Sequence, residues 1–185
     1  MSAVFTSSTG DGENIHAICE MLASSDRLIS PTRFHNSVHN APSGYWGIAT
    51  GSQRPADSLA AFDASFAAGL VEAMTRLATE PMQPVLLVAY DAPYPEPLNA
   101  VRRISDAFAV ALALAAPHAI AHRISIALDG GNAPSDAMDD PHLEQLRCTI
   151  PAARSLPLLR LVAREVEGSV TLDYLEGLAL HVRCS

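Results

Sequence analysis

The sequence contains no lysine, and all 12 basic residues among its 185 are arginines. This absence excludes enzymes that form a Schiff base, phosphate loops of the Walker type and Ser-Lys hydrolases, because each needs a lysine amine. Cysteine is also scarce: Cys19, Cys148 and Cys184 are scattered and form no CxxC pair. Such spacing is typical of reduced thiols, so we expect a cytoplasmic protein.

Long apolar runs and excess positive charge are also missing. No apolar run reaches the roughly 18 residues of a membrane span, and the first residues, MSAVFTSSTGDG, lack the pattern of a signal peptide. The formal net charge of −8 argues against nucleic acids and anionic membrane surfaces as partners. A hydrophobic content of 49% in 185 residues predicts one globular domain with a sizeable core, spanning residues 1–185.

The densest run of special residues is SPTRFHNSVHNAPSGYWGIATGS, residues 30–52. Asn40 is placed as a helix N-cap, Pro42 fits the first turn, and Gly51 is a plausible stop. Most residues between them are small, as in helices whose backbone packs closely on several sides. We therefore predict a largely buried helix over residues 40–51, at the centre of the fold.

The rest of the chain alternates strand and helix patterns, which predicts an α/β fold with a mostly buried sheet. An apolar run at Pro84–Tyr90 indicates a strand buried on both faces. Asp63–Thr79 is predicted to be a helix whose apolar stripe is Phe66, Leu70, Met74 and Leu77. Further predicted strands are Ala3–Ser8, Leu59–Phe62, Phe108–Ala115, Arg123–Leu128, Val170–Tyr174 and Leu178–Arg183. Further predicted helices are Glu13–Ala23, His142–Cys148 and Leu156–Glu165.

Two histidine pairs have the i,i+4 spacing of a helical metal site. His35 and His39 lack an intervening Glu and an obvious third ligand, so we expect no metal there. The simpler interpretation is that His35, Asn36, His39 and Asn40 hydrogen-bond buried backbone around the short helix. The second pair, His118 and His122, is expected at the surface.

Acidic and glycine-rich segments offer two further candidates. The segment STGDG, residues 8–12, follows a strand but lacks the glycine spacing of a phosphate loop, so a plain turn is expected. Asp136, Asp139 and Asp140 could bind a divalent cation, but their neighbours offer no further ligands, which favours an exposed acidic loop. Nothing in the sequence indicates a cofactor.

Asp63 lies at a strand-to-helix junction, AAFDASFAAG. Many α/β enzymes place a nucleophile at such a junction, because the amides of a helix N-terminus stabilise negative charge. The simpler interpretation, favoured by local chemistry alone, is that the Asp63 side chain caps the helix.

Three segments together resemble the β-ketoacyl synthase-like N-terminal domain: SPTRFHNSVHNAPSGYWGIATGS, DASFAAGLVEA and PVLLVAYD. The resemblance is narrower still to the small ketosynthase-like and chain-length-factor-like proteins of aryl polyene (xanthomonadin-type) clusters. It implies a thiolase-like fold, here a single N-terminal-type half with a mixed sheet flanked by helices. The family also implies first strands that precede the position of Met1.

The resemblance places Asp63 at the position where active ketosynthases carry a nucleophilic Cys. It also implies that the two histidines that assist condensation come from a second half of the fold, so that His35 and His39 belong to the N-terminal motif. Phe62 becomes a candidate for lining a surface shared with a partner, because the matching segment lies near the dimer interface of the parent fold.

With Asp63 in place of the nucleophilic Cys and the second half absent, the resemblance predicts an auxiliary, non-condensing, chain-length-factor-like component of a fatty-acid or polyketide-type pathway for aryl polyene pigment. Expected partners are a ketosynthase subunit and an acyl carrier protein, with Arg102 and Arg103 as a patch for the latter. The alternative is an acyl-carrier-dependent acyltransferase or decarboxylase that uses the same pocket through Asp63, His35 or His39. A third possibility is a degenerate remnant with no function of its own.

Overall fold

The computed structural model describes residues 1–116, 123–131 and 133–185. In these ranges the strands are β1 Ser2–Thr6, β2 Ala56–Leu59, β3 Val85–Asp91, β4 Phe108–Leu114, β5 Ile124–Gly130, β6 Gly168–Asp173 and β7 Leu178–Cys184. The helices are α1 Gly12–Ala23, α2 Pro31–Asn36, α3 Ala41–Thr50, α4 Ser65–Thr79, α5 Leu98–Val101, α6 Pro141–Thr149 and α7 Leu156–Arg164. Two 3-10 turns, Phe62–Ala64 and Pro151–Ser155, precede α4 and α7.

The first sheet is mixed, with the strand order β2-β1-β3-β4. Strand β1 pairs in parallel with both β2 and β3, and β4 runs antiparallel to β3. The β1 strand is buried along its whole length, and β3 is buried over most of it, whereas the edge strands β2 and β4 are only partly covered. The predicted mixed sheet flanked by helices is therefore confirmed, with its burial concentrated in the two central strands.

The last three strands form a separate antiparallel sheet with the order β5-β7-β6. Its inner face brings Val170, Leu172, Leu180 and Val182 into the same hydrophobic core as the first sheet. The periodicity of each strand predicted its existence but not the sheet to which it belongs, because that depends on pairing between distant segments.

Helix α4 lies at the centre of the core. Its residues Phe66, Leu70 and Ala73 are almost completely buried and pack with Val4 of β1 and Leu87 of β3. The approach to the first sheet is close at Gly69, where an added Cβ would lie 2.8 Å from Thr6 Cγ2 and 2.9 Å from Leu87 Cδ1. The predicted apolar stripe of this helix is confirmed.

The prediction that residues 40–51 form a largely buried central helix is wrong in its burial. Helix α3 does form there, and Gly51 ends it with a left-handed φ of 63°. Among its ten residues only Ser43 is buried, Trp46 is partly covered, and Ile48 is 79% exposed. The small residues let one side of α3 pack on β1 and β2, where the ring of Trp46 lies tilted by 54° against that of Phe5, with 6.4 Å between the ring centroids. No element of the described chain covers the other side.

His118 and His122 lie outside the residues that the structure describes. In the described ranges no helix has the length and apolar character needed to cross a membrane.

Candidate functional site

The candidate site is built around the 3-10 turn Phe62–Ala64, which joins β2 to the start of α4. Phe62 has a left-handed φ of 52°, an uncommon conformation for a large side chain. The buried Ser65 fixes this turn, because its hydroxyl donates to the carbonyl of Phe62 at 2.7 Å and accepts from the amide of Ala61 at 3.0 Å. Asp63 is thereby held at the N-terminus of the central helix, α4.

The Asp63 carboxylate binds two arginines from distant segments. Its Oδ1 lies 2.6 Å from Nη2 of Arg102, and its Oδ2 lies 3.1 Å from Nη2 of Arg154. Neither the 3-10 turn nor α4 has a side-chain cap. The interpretation of Asp63 as a helix cap is therefore wrong, because both of its oxygens are directed to guanidinium groups.

Arg102 connects Asp63 to two aromatic residues. Its guanidinium lies over the ring of Phe62, 3.5 Å from the centroid, and its Nε donates to the Tyr94 hydroxyl at 3.4 Å. Partial burial opposes the charge on Arg102, but its hydrogen bonds with Asp63 and Tyr94 outweigh this effect and raise its pKa. Arg102 is thus engaged with Asp63, while the neighbouring Arg103 is exposed.

Arg154 extends the ion pairs to the second sheet. Its Nη1 contacts Asp173 of β6 at 3.2 Å, and Asp173 also lies 3.5 Å from Nη1 of Arg147. Arg147 in turn forms a double hydrogen bond with Glu144, at 2.7 and 2.8 Å. A continuous chain of alternating charges therefore links Asp63 to α6 and β6.

Glu144 ends this chain and carries a strongly lowered pKa, about 2 against an ordinary 4.5. The hydrogen bonds from Arg147 are the largest cause, followed by the backbone amide of Met138. A carboxyl with a lowered folded-state pKa stabilises the fold fully above its unfolded pKa, and this stabilisation fades as the pH falls toward the folded value. The window for Glu144 therefore runs from about pH 4.5 down to about pH 2.

Glu144→Gln is expected to lower the unfolding free energy by about 1–2 kcal/mol at pH 7, since it removes charge-assisted hydrogen bonds at a partly exposed site. The difference from the wild type should shrink as the pH falls below about 4.5, because the wild-type carboxyl then loses its advantage. Urea denaturation at several pH values measures it, with Glu167→Gln at an exposed position as the control. A difference that persists unchanged at acidic pH would contradict the assignment.

Asp63 lines a small cleft of about 70 Å³ together with Arg102, Arg103, Arg154 and Cys148. Cys148 is the only cysteine in the lining, and partial burial raises its pKa, as does its hydrogen bond to Glu144 at 3.2 Å. A raised pKa lowers the fraction of Cys148 that is thiolate at neutral pH.

The other predicted site residues lie apart from this cleft. His35 is exposed on α2, and Asn36 accepts a hydrogen bond from the Tyr45 hydroxyl at 2.7 Å. His39 lies between α2 and α3, where Nε2 is 3.3 Å from the carbonyl of Ser7, and Asn40 is an exposed N-cap without a side-chain hydrogen bond. Only His39 therefore bonds to backbone, and the expectation that all four residues do so is wrong.

The two histidines also do not share a helix, because α2 ends at Asn36 and α3 begins at Ala41. Across the described ranges no group of three or more His, Cys, Asp or Glu residues could hold a metal ion. In the acidic loop, Asp136 accepts from the amide of Thr171, Asp139 pairs with Arg160, and Asp140 caps α6. The segment at residues 8–12 is the turn from β1 to α1, capped by Asp11.

Sequence reasoning missed Asp91, the last residue of β3. Its buried carboxylate accepts from the Ser8 amide at 2.8 Å, the Ser8 hydroxyl at 2.6 Å and the Ser7 hydroxyl at 3.3 Å. Its second oxygen accepts from the amide of Ala152 at 2.8 Å. Asp91 thus joins the ends of two central strands to the 3-10 turn that carries Arg154. The only available signal was an acidic residue that ends a buried apolar run.

Two solved structures share this architecture over nearly the whole chain. One is the ketosynthase ApeO in complex with its chain length factor ApeC from Xenorhabdus doucetiae, at 24% identity and a TM-score of 0.74, covering 98% of this chain and 68% of the other. The second is the ishigamide ketosynthase/chain length factor, at 10% identity and a TM-score of 0.70, covering 99% and 72%. At such identities the likeness establishes the fold, which is the thiolase-like fold of ketosynthases.

None of the curated proteins matches the sequence. A family model, the β-ketoacyl synthase N-terminal domain, matches residues 1–173. The chain belongs to this family, as its motifs predicted.

Proposed function

We propose that this chain is a non-condensing, chain-length-factor-like subunit that pairs with a ketosynthase in a fatty-acid or polyketide-type pathway, that of an aryl polyene pigment. The observation that carries the proposal is Asp63, an aspartate bound by two arginines where the family resemblance expects the nucleophilic cysteine. Condensation needs a thiolate to accept the acyl group, and an acylated Asp63 would be a reactive mixed anhydride. The salt bridges lower the nucleophilicity of this carboxylate further.

The surface around β2 supports pairing with a protein partner. Strand β2 is an edge strand that pairs only with β1 among the described residues, so one row of its backbone groups is open to a further strand. Helix α3 packs beside it and exposes Tyr45 and Ile48, while Phe62, three residues beyond β2, is 59% exposed. Exposed apolar side chains beside an open strand edge are typical of a protein interface.

A partner on this surface would also account for the composition of α3. The helix is apolar and rich in small residues, yet only one of its sides packs within the chain. Covering the other side with a ketosynthase would remove the exposed apolar side chains of α3 from water.

The enzyme alternative lacks a matching observation. An acyltransferase or decarboxylase that used Asp63 would have to release it from both Arg102 and Arg154, and His35 and His39 lie on other segments. The acyl carrier protein remains part of the proposal as a partner of the assembled pair.

Co-expression with a ketosynthase of its own genome tests the proposal, with co-elution on a sizing column as the measurement. We expect a stable heteromer that Ile48→Glu abolishes, because the variant places a charge in the apolar centre of the proposed interface. The control is Leu175→Glu, an exposed apolar position in the turn between β6 and β7 of the second sheet, which should leave co-elution intact. A soluble, folded chain that never co-elutes with the ketosynthase would refute the pairing.

A further inference from the structure

The cleft beside Asp63 carries more positive than negative charge. Its lining residues include three arginines, Arg102, Arg103 and Arg154, and one acidic residue, Asp63, in a chain whose net charge is −8. Asp173 lies outside the lining and forms an ion pair with Arg154. If Asp173 is counted with Asp63, the three arginines still carry one positive charge more than the two carboxylates. No acceptor for the Arg103 guanidinium occurs among the described residues, so the unmatched charge is at this residue.

The geometry of the cleft suits a compact anion. A volume of about 70 Å³ has room for one oxyanion group. Arg102 commits its Nη2 to Asp63 and its Nε to Tyr94, which leaves Nη1 free of these bonds, and the next residue along the chain, Arg103, lines the same cleft. Two adjacent guanidinium groups are the donors that bind phosphate most specifically, through parallel N–H···O bonds.

We infer that this cleft binds a phosphate group, with Arg103 and the outer edge of Arg102 as donors. Asp63 repels an anion but also holds Arg102 and Arg154 in place, so the bound group would face the Arg103 side of the cleft. Two sources share this chemistry: free phosphate, and the phosphodiester of a carrier protein's phosphopantetheine arm. The second source rests on the proposed function, whereas the binding of phosphate does not.

The inference is tested by titrating the isolated chain with inorganic phosphate at low ionic strength and measuring the heat of binding by calorimetry. We expect saturable binding in the millimolar range, weakened at least about fivefold by Arg103→Gln, a loss of roughly 1 kcal/mol. Arg183→Gln removes an exposed arginine of β7 outside the cleft and should leave the affinity unchanged. Absence of saturable binding, or equal losses in the two variants, would overturn the inference.

A second titration with the O-methyl ester of 4′-phosphopantetheine, which carries the phosphodiester of the carrier arm, separates the two sources. Affinity several-fold above that of inorganic phosphate, with the same dependence on Arg103, supports the carrier arm, whereas equal affinity supports free phosphate. Because both titrations use the chain alone, their failure leaves the pairing with a ketosynthase standing, and failure of co-elution leaves the phosphate site standing.

Discussion

Asp91→Ala is expected to lower the unfolding free energy by about 3–5 kcal/mol, which is a large fraction of the stability of an ordinary domain. The carboxylate is 4% exposed and accepts four hydrogen bonds, two of them from the backbone amides of Ser8 and Ala152. Alanine would leave these buried donors without an acceptor, and each unsatisfied group costs free energy of its own. Urea denaturation of the purified variant measures the loss.

Asp106→Ala is the matched control, because Asp106 is exposed and accepts only from the amide of the next residue, Ala107. It should change stability by no more than about 0.5 kcal/mol. The Asp91 variant should also weaken the ion pairs that Arg154 forms with Asp63 and Asp173, since Arg154 and the Ala152 amide belong to the same 3-10 turn. An Asp91→Ala chain as stable as the control variant would show that the buried hydrogen bonds do not hold the strand ends.

Gly69→Ala is expected to destabilise the fold by about 1–3 kcal/mol, although alanine is the better helix former by about 1 kcal/mol. The added Cβ would lie within 3 Å of side-chain atoms of Thr6 and Leu87, both of which are fully buried, so that moving them aside would disturb the packed core. Gly69→Val adds two methyl groups to the same contact and should prevent folding. Thermal unfolding followed by circular dichroism distinguishes these outcomes.

Gly44→Ala provides the control for helix propensity. Gly44 also lies inside a helix, α3, but nothing approaches the position of its Cβ within 4 Å. The substitution should therefore stabilise the protein by about 0.5–1 kcal/mol. Equal stabilisation by Gly69→Ala would mean that α4 does not approach the first sheet as closely as described.

The sequence predicted the elements with strong periodicity well. The apolar run predicted as a strand at Pro84–Tyr90 is β3, Val85–Asp91, and the stripe of Phe66 and Leu70 marks the buried face of α4. In both cases a local pattern determines burial, because a strand between two others and a helix that crosses between parallel strands have no alternative environment.

The candidate site was only half predictable. The junction that holds Asp63 follows from local sequence, but its partners Arg102 and Arg154 are 39 and 91 residues away, and no local pattern pairs them. Capping was therefore the expected role until tertiary contacts were known. The burial of α3 was overestimated for a related reason: small apolar residues indicate close packing, but not whether the packing partner belongs to the same chain.

Strand β1 has a consequence for how the chain folds. It lies between β2 and β3, so its backbone can be paired on both sides only after residues 56–59 and 85–91 have been made. Contacts at such sequence separation form slowly, and an apolar strand that waits for them is exposed to aggregation. Synthesis at reduced temperature, which slows aggregation of the unpaired strand, should therefore raise the yield of folded protein more than a stronger promoter would.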